Sequence, residues 1–249
     1  MTKPGDRSPM KLLLLGGTSE ARALAKRLHP DVELISSLAG RVPDPALPVG
    51  AVRIGGFGGV AGLRTYLQDN EITAVVDATH PFAANITANA AQACAGVGVP
   101  HLVLARPAWP HGDAIVVADD RHAAQTVKDH GYQRVFLTTG RSGTTAFRTS
   151  DAWFLIRAVT PPEPETLPPH HEILLSRGPY GYDNELALLR DHRIDALVTK
   201  NSGGSMTRAK LDAAAALKIP VIMVDRPPLP AGVATVATVD DAAEWVRAR

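Results

Sequence analysis

The sequence contains little cysteine and little net charge. Its one cysteine, Cys94, cannot form an internal disulfide and excludes zinc sites that are built from Cys-x-x-Cys pairs. The 26 Lys and Arg residues almost balance the 25 Asp and Glu residues, and the net charge is +1. Such a balance gives no general attraction to nucleic acid or to an anionic membrane. Any basic binding site must therefore be local.

Long apolar runs are also missing. No run approaches the ~20 residues of a membrane-spanning helix, and the polar start of the chain has no apolar signal-peptide core. We therefore expect a cytoplasmic protein that does not enter a membrane. Because 45% of the 249 residues are hydrophobic, the chain can bury a substantial core, and its length favours two domains of modest size.

Short runs rich in Val, Ile and Leu alternate with longer alanine-rich amphipathic stretches, which is typical of a buried parallel sheet. This alternation predicts an α/β protein. The elements predicted in the first half are strands at Lys11 to Leu15, Val32 to Ser36, Ala51 to Ile54, Ile72 to Asp77 and His101 to Ala105, and helices at Ser19 to Leu28, Val60 to Asp69 and Phe82 to Gly96. Together they predict one doubly wound unit.

A segment with two prolines and a glycine, Pro107 to Asp113, cannot continue a helix or a strand and marks a domain boundary. The strands predicted beyond it are Ala114 to Val117, Arg134 to Thr138, Trp153 to Arg157, Glu172 to Ser176, Ala196 to Thr199 and Val221 to Val224. The segment Pro161 to Pro169, which precedes His170 and His171, is predicted to be a stiff extended loop. We therefore predict a first domain at 1–110 and a second at 111–249. The sequence does not decide which domain the final helix, Asp240 to Arg247, packs against.

The first predicted strand runs into Gly16 and Gly17, and a helix follows. Backbone N–H groups at such a turn, with the positive end of the helix, can hold a phosphate. Compared with the dinucleotide-binding pattern G-x-G-x-x-G/A, Gly16 and Ala21 fill the first and last positions, whereas Thr18 replaces the second glycine. Gly17, Thr18 and Ser19 are thus candidate cofactor-binding residues. A tight turn capped by Thr18 or Ser19 would explain the same pattern.

The second predicted strand ends on hydroxyls where an NAD-binding protein carries a carboxylate. An acidic residue that binds the ribose 2′-hydroxyl belongs ~20 positions past the first glycine, and Ser36 and Ser37 occupy that region. With Arg41 close behind them, these hydroxyls suit a 2′-phosphate better than a bare ribose. We therefore predict NADPH as the cofactor. The alternative is that Arg41 belongs to a solvated loop.

Basic residues recur where predicted strands end. In a doubly wound sheet the ligand lies beyond the carboxyl ends of the strands. The six cations at such positions are Arg106, Arg141, Arg157, Arg177, Lys200 and Arg226. Clustered cations are costly unless an anion lies between them, so these residues predict a ligand with several carboxylates or phosphates. For any one of them, pairing with a local acid such as Asp183 or Glu185 is the alternative.

Three further segments follow strands at the same edge. His80 could polarise or protonate a substrate beside the nicotinamide, or its ring could instead cap the helix predicted to begin at Phe82. Asn201 and Ser202 lie in a second glycine turn suited to an anion. Tyr180 offers an aromatic surface and a hydroxyl. No hydrolase motif and no metal-binding pattern occurs in the sequence, so we expect no metal.

Seven segments, taken in chain order, resemble the precorrin-6A reductase family of cobalamin biosynthesis. They are GGTSEAR at 16–22, SLAGR at 37–41, RIGG at 53–56, DATHPF at 77–82, SRGP at 176–179, TKNSG at 199–203 and VDRP at 224–227. The resemblance implies two Rossmann-like doubly wound parallel-sheet domains with the active site in the cleft between them. It also implies NADPH-dependent reduction of one double bond of precorrin-6A, giving precorrin-6B. The carboxylate-rich macrocycle would be the anion that the basic residues bind.

The resemblance also assigns residues to roles. It places Gly17, Thr18, Ser19, Ser37, Arg41, Gly56, Thr79 and His80 on the cofactor side, and Lys200, Asn201 and Ser202 at the interdomain site, where we expect Asn201 and Ser202 to reach the cofactor. Ser36 joins the predicted cofactor-binding set. The candidate catalytic residues are His80 and Lys200, and the candidate substrate-binding residues are Arg106, Arg141, Arg177, Tyr180, Lys200 and Arg226. A bound water or a substrate carboxyl could supply the proton as well as His80 could.

Three alternatives stay open. Similar reductases of the oxygen-independent pathway use a cobalt-containing substrate. A non-catalytic NADP-sensing module would need only the first domain, and a corrinoid carrier would bind the tetrapyrrole without oxidising NADPH. A nucleotide-sugar epimerase is set aside, because no tyrosine of this chain has a lysine four places later. Contacts with neighbouring enzymes of the pathway would be transient, and neither a nucleic acid nor a membrane is an expected partner.

Overall fold

The computed structural model describes residues 10–40 and 46–249. The chain forms two compact α/β units, and each contains a six-stranded sheet in which all pairings are parallel. The first unit contains the chain up to Arg106 together with Pro227–Arg249, and the second contains Pro107–Arg226. The predicted fold class, two doubly wound parallel-sheet domains, is confirmed.

The first unit begins with five strands and three helices. They are β1 (Lys11–Leu15), α1 (Ser19–Leu28), β2 (Glu33–Leu38), β3 (Ala51–Ile54), α2 (Gly59–Asp69), β4 (Ala74–Asp77), α3 (Ala84–Val97) and β5 (His101–Leu104). These strands lie in the order β5-β4-β1-β2-β3. The four leucines of β1 are at most 2% exposed, because helices cover both faces of the sheet.

The two faces of this sheet are packed by different helices. On one face, Leu12 and Leu14 of β1 pack with Leu24 and Leu28 of α1. On the other face, α2 and α3 cover the alternate strand residues, with Leu63 of α2 fully buried. This alternation of side chains across the strands explains why β1 is apolar at every interior position.

The second unit likewise contains a parallel sheet, with six strands and three α-helices. They are β6 (Ile115–Val117), α4 (Asp120–Asp129), β7 (Arg134–Leu137), β8 (Trp153–Ala158), β9 (His170–Leu175), α5 (Tyr182–Asp191), β10 (Ala196–Lys200), α6 (Ala209–Ala216) and β11 (Val221–Val224). Arg141–Phe147 forms a 3-10 helix between β7 and β8. The strand order is β6-β11-β10-β7-β8-β9. Its core includes Phe136 of β7, Leu155 of β8 and Leu197 of β10, each completely buried.

The end of the chain returns to the first unit. Strand β12 (Ala234–Val236) pairs with β5 at the edge of the first sheet, and helix α7 (Val239–Arg247) packs against α1. Whereas the sequence predicted domains at 1–110 and 111–249, residues 227–249 lie with the first unit in the structure. The three residues of β12 form no apolar run that could reveal it, because it is an edge strand with mostly exposed side chains.

Strand β9 also begins earlier than the sequence predicted. His170 and His171, expected at the end of the proline-rich loop, are the first two residues of this edge strand and are exposed. The preceding segment contains a short 3-10 helix at Pro164–Thr166. An edge strand has fewer buried positions, so fewer of its residues need apolar side chains. The strand predicted at 172–176 therefore covered only part of β9.

Candidate active site

The carboxyl ends of four strands in the first unit lie side by side. In the register of the sheet, Leu15 of β1 stands opposite Ser37 of β2 and Asp77 of β4, and Asp77 stands opposite Val103 of β5. The residues that follow these positions therefore emerge at one edge. This is the edge at which doubly wound sheets bind ligands.

The glycine turn after β1 is open above its backbone. Gly17 has a φ of 116°, which favours glycine, and a side chain added there would meet nothing within 4 Å. The Thr18 hydroxyl caps α1 by accepting from the Ala21 N–H at 3.1 Å, and it donates to the Ala78 carbonyl at 2.7 Å. The Thr18 hydroxyl thus also connects the turn after β1 with the segment that follows β4. Ser19 donates to the Glu20 carboxylate at 2.9 Å.

A small pocket lies beside this turn. It is lined by Gly16, Gly17, Ala21, Arg22, Ser36, Leu38, Ala46 and Pro48. The Ser36 side chain is 1% exposed, and its hydroxyl has no hydrogen-bond partner among the described residues. A buried hydroxyl without a partner is costly in a folded protein, so a ligand or a water at this place would satisfy it. Arg41 lies outside the described residues.

Arg53 of β3 is a residue of this site whose role the sequence did not reveal. It stands opposite Ser37 in the sheet and donates to the Ser37 hydroxyl at 2.9 Å. Its other N–H groups donate to the carbonyls of Gly55 at 2.9 Å and Gly56 at 3.1 Å, and its guanidinium lies 3.9 Å from the centre of the Phe57 ring. Arg53 therefore places a positive charge beside Ser37. Only the strand order, which is not readable from sequence, brings the two residues together.

The turn after β4 is shaped by Asp77. Its Oδ1 atom accepts from the Thr79 backbone N–H at 2.9 Å and from the Thr79 hydroxyl at 2.6 Å. His80 is exposed, and its Nδ1 atom accepts from the Phe82 N–H at 3.3 Å. The contact to Phe82 agrees with the interpretation of His80 as a turn residue. The ring nevertheless remains accessible at the edge of the sheet.

Asp77 also influences two buried groups beneath this turn. Its Oδ2 atom is buried without a hydrogen-bond partner in the described structure. Burial lowers the pKa of His101, and the Asp77 charge opposes that shift. Burial raises the pKa of the Cys94 thiol to about 12, with a smaller contribution in the same direction from Asp77. Cys94 is thus an inert, protonated thiol.

Arg106, which follows β5, forms an ion pair with Glu20 of α1 at 2.8 Å. Burial alone would raise the pKa of Glu20, but the charge of Arg106 and hydrogen bonds to Glu20 outweigh it, and the net shift is downward. A predicted ligand-binding cation therefore has a protein carboxylate as its partner. This pair lies at the same edge as the glycine turn.

In the second unit, β10 ends at Lys200 and leads directly into the turn that contains Asn201 and Ser202. The Lys200 ammonium group donates to the Thr139 carbonyl at 3.0 Å and lies 3.5 Å from the Asp120 carboxylate. Asn201 is completely buried and Ser202 is half-buried.

The Asn201 side chain forms two hydrogen bonds with the backbone of Trp109. It accepts from the Trp109 N–H at 2.9 Å and donates to the Trp109 carbonyl at 3.1 Å. The buried Asn201 side chain thus fixes the backbone at Trp109 relative to the turn after β10. A side chain at Gly203, whose φ is 66°, would collide with the Pro107 carbonyl, so the turn also requires glycine there.

The remaining predicted substrate-binding residues of this unit differ in exposure. Arg141 and Arg177 are exposed. Arg226 is half-buried and donates to the carbonyls of Asn201 at 2.8 Å and Pro107 at 3.2 Å. The Tyr180 hydroxyl donates to the Ser176 carbonyl at 3.1 Å.

Arg157 points into the protein. It forms two hydrogen bonds with the Glu185 carboxylate, at 2.9 and 2.6 Å, and both side chains are at least nine-tenths buried. Its guanidinium lies 4.0 Å from the centre of the Tyr180 ring. Of the two local acids considered as alternatives for the cations, Glu185 is therefore the partner of Arg157. Lys210 of α6, which is 5% exposed, belongs to the same buried cluster.

The six predicted cations are thus distributed over both units and have different surroundings. Arg106 lies in the first unit, and the other five lie in the second. Across residues 10–40 and 46–249, no group of three His, Cys, Asp or Glu side chains is placed to hold a metal ion. In the same parts of the chain, no helix is long and apolar enough to cross a membrane.

Comparison with known proteins matches this chain to one family. The family model described as "Precorrin-6x reductase CbiJ/CobK" matches residues 11–247. The chain belongs to this family. A precorrin-6A reductase of Mycobacterium tuberculosis is 67% identical over 236 residues, which cover 95% of this chain and 97% of that protein. The resemblance inferred from the sequence segments is confirmed.

Two further relatives extend the comparison. The solved structure of CobK precorrin-6A reductase is 40% identical, covers 96% of both chains and superimposes with a TM-score of 0.88. A cobalt-precorrin-6A reductase of Methanothermobacter thermautotrophicus is 31% identical and covers 89% of this chain and 78% of that protein. Membership of the family therefore extends over both α/β units.

Proposed function

We propose that this protein reduces one double bond of precorrin-6A with NADPH, giving precorrin-6B. NADPH supplies a hydride when bound, and a proton completes the addition across the double bond, so that NADP⁺ and the dihydro macrocycle are the products. The observation that carries the cofactor assignment is the glycine turn beside Ser36. A backbone that is open at Gly17, a capped helix start and an unpartnered buried hydroxyl together form a fitting cradle for a dinucleotide.

The surroundings of Ser37 support NADPH over NADH. Ser36 and Ser37 stand where an acid would bind the ribose 2′-hydroxyl, and Arg53 adds a positive charge next to Ser37. Arg22 lines the same pocket. A 2′-phosphate needs hydroxyls and cations and would be repelled by a carboxylate. In this proposal Arg41 completes the phosphate site, and Gly56 lies beside it because its carbonyl accepts from Arg53.

The turn after β4 would hold the nicotinamide end. Asp77 fixes Thr79, and this in turn sets the position of His80. His80 would orient the reacting groups or hold the proton at an imidazole nitrogen. A water or a substrate carboxyl at the same place would serve equally well as the proton donor.

The second unit would bind the carboxylates of the macrocycle. Arg141 and Arg177 are exposed cations, and Lys200 presents an ammonium group at the end of β10. Tyr180 and Arg226 of the second unit belong to the same proposed set, as does Arg106 of the first unit. Asn201 is completely buried, so in this proposal it shapes the loop while Ser202 reaches the ligand.

A cobalt-free substrate is favoured by the pattern of identities. The precorrin-6A reductases from five sources are 42 to 67% identical to this chain, whereas the three cobalt-precorrin-6A reductases are 27 to 31% identical. A cytoplasmic location and transient contacts with enzymes that deliver or accept the macrocycle are parts of the same proposal, because NADPH and the macrocycle must both reach the enzyme.

The test is an anaerobic reaction of the protein with NADPH and precorrin-6A. We expect the absorbance of NADPH to fall only when protein and precorrin-6A are both present. Mass spectrometry should show that the macrocycle has gained two hydrogens. A parallel reaction with NADH tests the preference for NADPH, and one with the cobalt-containing macrocycle tests the preference for the cobalt-free substrate. Tight macrocycle binding without NADPH oxidation would instead indicate a corrinoid carrier. NADPH binding without any effect of the macrocycle would indicate a sensing module.

A further inference from the structure

Loop 201–208, which joins β10 to α6, is held by aromatic residues from two other segments of the second unit. Trp109 bonds with Asn201 through its backbone and donates from its indole N–H to the Gly204 carbonyl at 2.7 Å. The Tyr180 N–H donates to the Met206 carbonyl at 3.1 Å. The loop therefore has two aromatic residues as its main anchors.

Both anchors rest on buried charges. The Lys210 ammonium group lies 4.8 Å from the centre of the Trp109 ring and donates to the Thr207 carbonyl at 2.7 Å. Arg157, which is paired with Glu185, lies against the Tyr180 ring. A cation against an aromatic ring is attracted by the ring, and more strongly when water is excluded. The charges beneath the loop thus stabilise the groups that hold it.

We propose that Lys210 is a positioning residue, whose buried ammonium group ties Trp109 to Thr207 and thereby holds loop 201–208 in the conformation that binds the substrate. The inference rests on the proposed function, because it takes Lys200 and this loop to bind the macrocycle. Lys210 itself is too deeply buried to touch a substrate carboxylate. Its effect must pass through Trp109 and the loop.

The charge of Lys210 changes with pH near neutrality. The pKa of Lys210 is lowered to about 7, because burial and the positive charge of Arg157 lower it and the negative charge of Glu185 only partly opposes them. Arg157 and Glu185 are the charged groups that act on Lys210 from β8 and α5, and the Tyr180 ring lies next to Arg157. Below pH 7 the ammonium form strengthens both the contact with Trp109 and the hydrogen bond to Thr207. Above pH 7 this contribution is lost.

The test compares wild type with Lys210→Met, which keeps the length of the buried side chain without its charge. We expect the KM for precorrin-6A at pH 6 to be about tenfold higher in Lys210→Met than in wild type, because a charge-assisted hydrogen bond and a cation–π contact are lost. At pH 8.5 the two KM values should converge. The kcat and the Kd for NADPH should change little at either pH.

Hydrogen exchange gives a readout that needs no substrate. At pH 6 the amides of loop 201–208 should exchange faster in Lys210→Met than in wild type. The control is Lys128→Met, which removes an exposed lysine of α4 and should match wild type in both experiments. Glu185→Gln supplies a second variant. Because the Glu185 charge raises the pKa of Lys210, its removal should shift the midpoint of the KM profile to lower pH.

A KM ratio between Lys210→Met and wild type that is the same at pH 6 and pH 8.5 would overturn the inference, and so would an unshifted midpoint in Glu185→Gln. Lys200→Ala separates this failure from that of the proposed function. If Lys200→Ala weakens macrocycle binding while Lys210→Met behaves as wild type, only the role of Lys210 is wrong. If Lys200→Ala leaves macrocycle binding unchanged, the proposed role of the loop fails and the inference fails with it.

Discussion

Each unit contains a six-stranded parallel sheet, but the side chains at the carboxyl edges of the two sheets differ. At the first edge, polar atoms of Ser36 and Asp77 are buried without hydrogen-bond partners in the described structure. At the second edge, Arg157 and Glu185 are buried and pair with each other, and Lys200 pairs with Asp120. Asp120 Oδ1, Thr139 Oγ1 and Arg157 Nε of the second unit are likewise buried without hydrogen-bond partners in the described structure. The feature that distinguishes the second edge is therefore its buried Arg157–Glu185 ion pair. Similar sheets therefore do not imply similar binding sites.

The largest effect that this comparison predicts is a loss of stability when the buried Arg157–Glu185 pair of the second unit is broken. Glu185→Ala leaves Arg157 buried without a partner, so the free energy of unfolding should fall by ~3 to 5 kcal/mol. Asp183→Ala, an exposed carboxylate two residues away on α5, is the matched control and should change it by less than ~0.5 kcal/mol. Urea unfolding of both variants measures the difference. Equal losses of unfolding free energy in the two variants would show that the Arg157–Glu185 pair makes no special contribution to stability.

Lys210 gives the second unit a dependence of stability on pH between neutral and alkaline conditions. Its pKa is about 7 in the folded protein and near 10.5 when unfolded. As pH falls from 10.5 towards 7, only the unfolded chain takes up this proton, so stability falls by ~1.4 kcal/mol per pH unit. Below pH 7 both states are protonated and the loss is complete.

The measurement is urea unfolding of wild type and of Lys210→Met between pH 7 and pH 9. Other groups titrate alike in both proteins, so the difference isolates Lys210. Wild type should gain stability relative to Lys210→Met as pH rises. A difference that stays constant over this range would contradict the assigned pKa.

At the first edge, the expected effect concerns cofactor choice. Arg41→Ala should raise the KM for NADPH by ~10-fold or more, because a charge-assisted contact is worth ~1.5 to 3 kcal/mol, and should leave the use of NADH almost unchanged. Steady-state kinetics with both cofactors measures the effect. Arg141→Ala, in the second unit, is the control and should not alter the KM for NADPH. Equal losses with NADPH and NADH would remove Arg41 from the phosphate site.

The smallest effect is expected at His80. If this residue mainly positions the reacting groups, His80→Ala should slow turnover by ~10-fold, whereas loss of an obligatory general acid would cost ~100-fold and change the pH profile. Single-turnover reactions with deuterated NADPH over a pH series distinguish the two. The larger loss with an altered profile would show that His80 is the proton donor.

Much of the fold could be predicted because buried parallel strands are apolar throughout. The ends of β1 and β11 were predicted to the residue, and α1 was predicted from its cap to Leu28. Of the edge strands, β3 was also predicted to the residue, but β9 and β12 were not. Strand β9 begins two residues before its predicted start, and β12 was missed, because exposed side chains leave no apolar pattern.

The candidate site could be predicted only where chemistry follows local sequence. Gly17 and Thr18 are predicted as cofactor-binding residues from the strand-turn-helix pattern, and Ser36 from its place in the second strand, where an acidic residue would bind the ribose. Arg53 was not given a role, because its contact with Ser37 depends on β3 pairing with β2. Lys210 was not considered, since a lysine on an alanine-rich helix is normally solvated and nothing local indicates that α6 buries it.

The sequence by itself determined the alternation of strands and helices, the glycine turns and the family, because each depends on residues that are close along the chain. The tertiary structure alone decided which strands are neighbours, where residues 227–249 pack and which cations meet carboxylates. These features depend on contacts between distant segments, such as Arg106 with Glu20 and Arg157 with Glu185. A basic residue at a strand end is only a candidate for ligand binding until the fold shows which acid lies beside it.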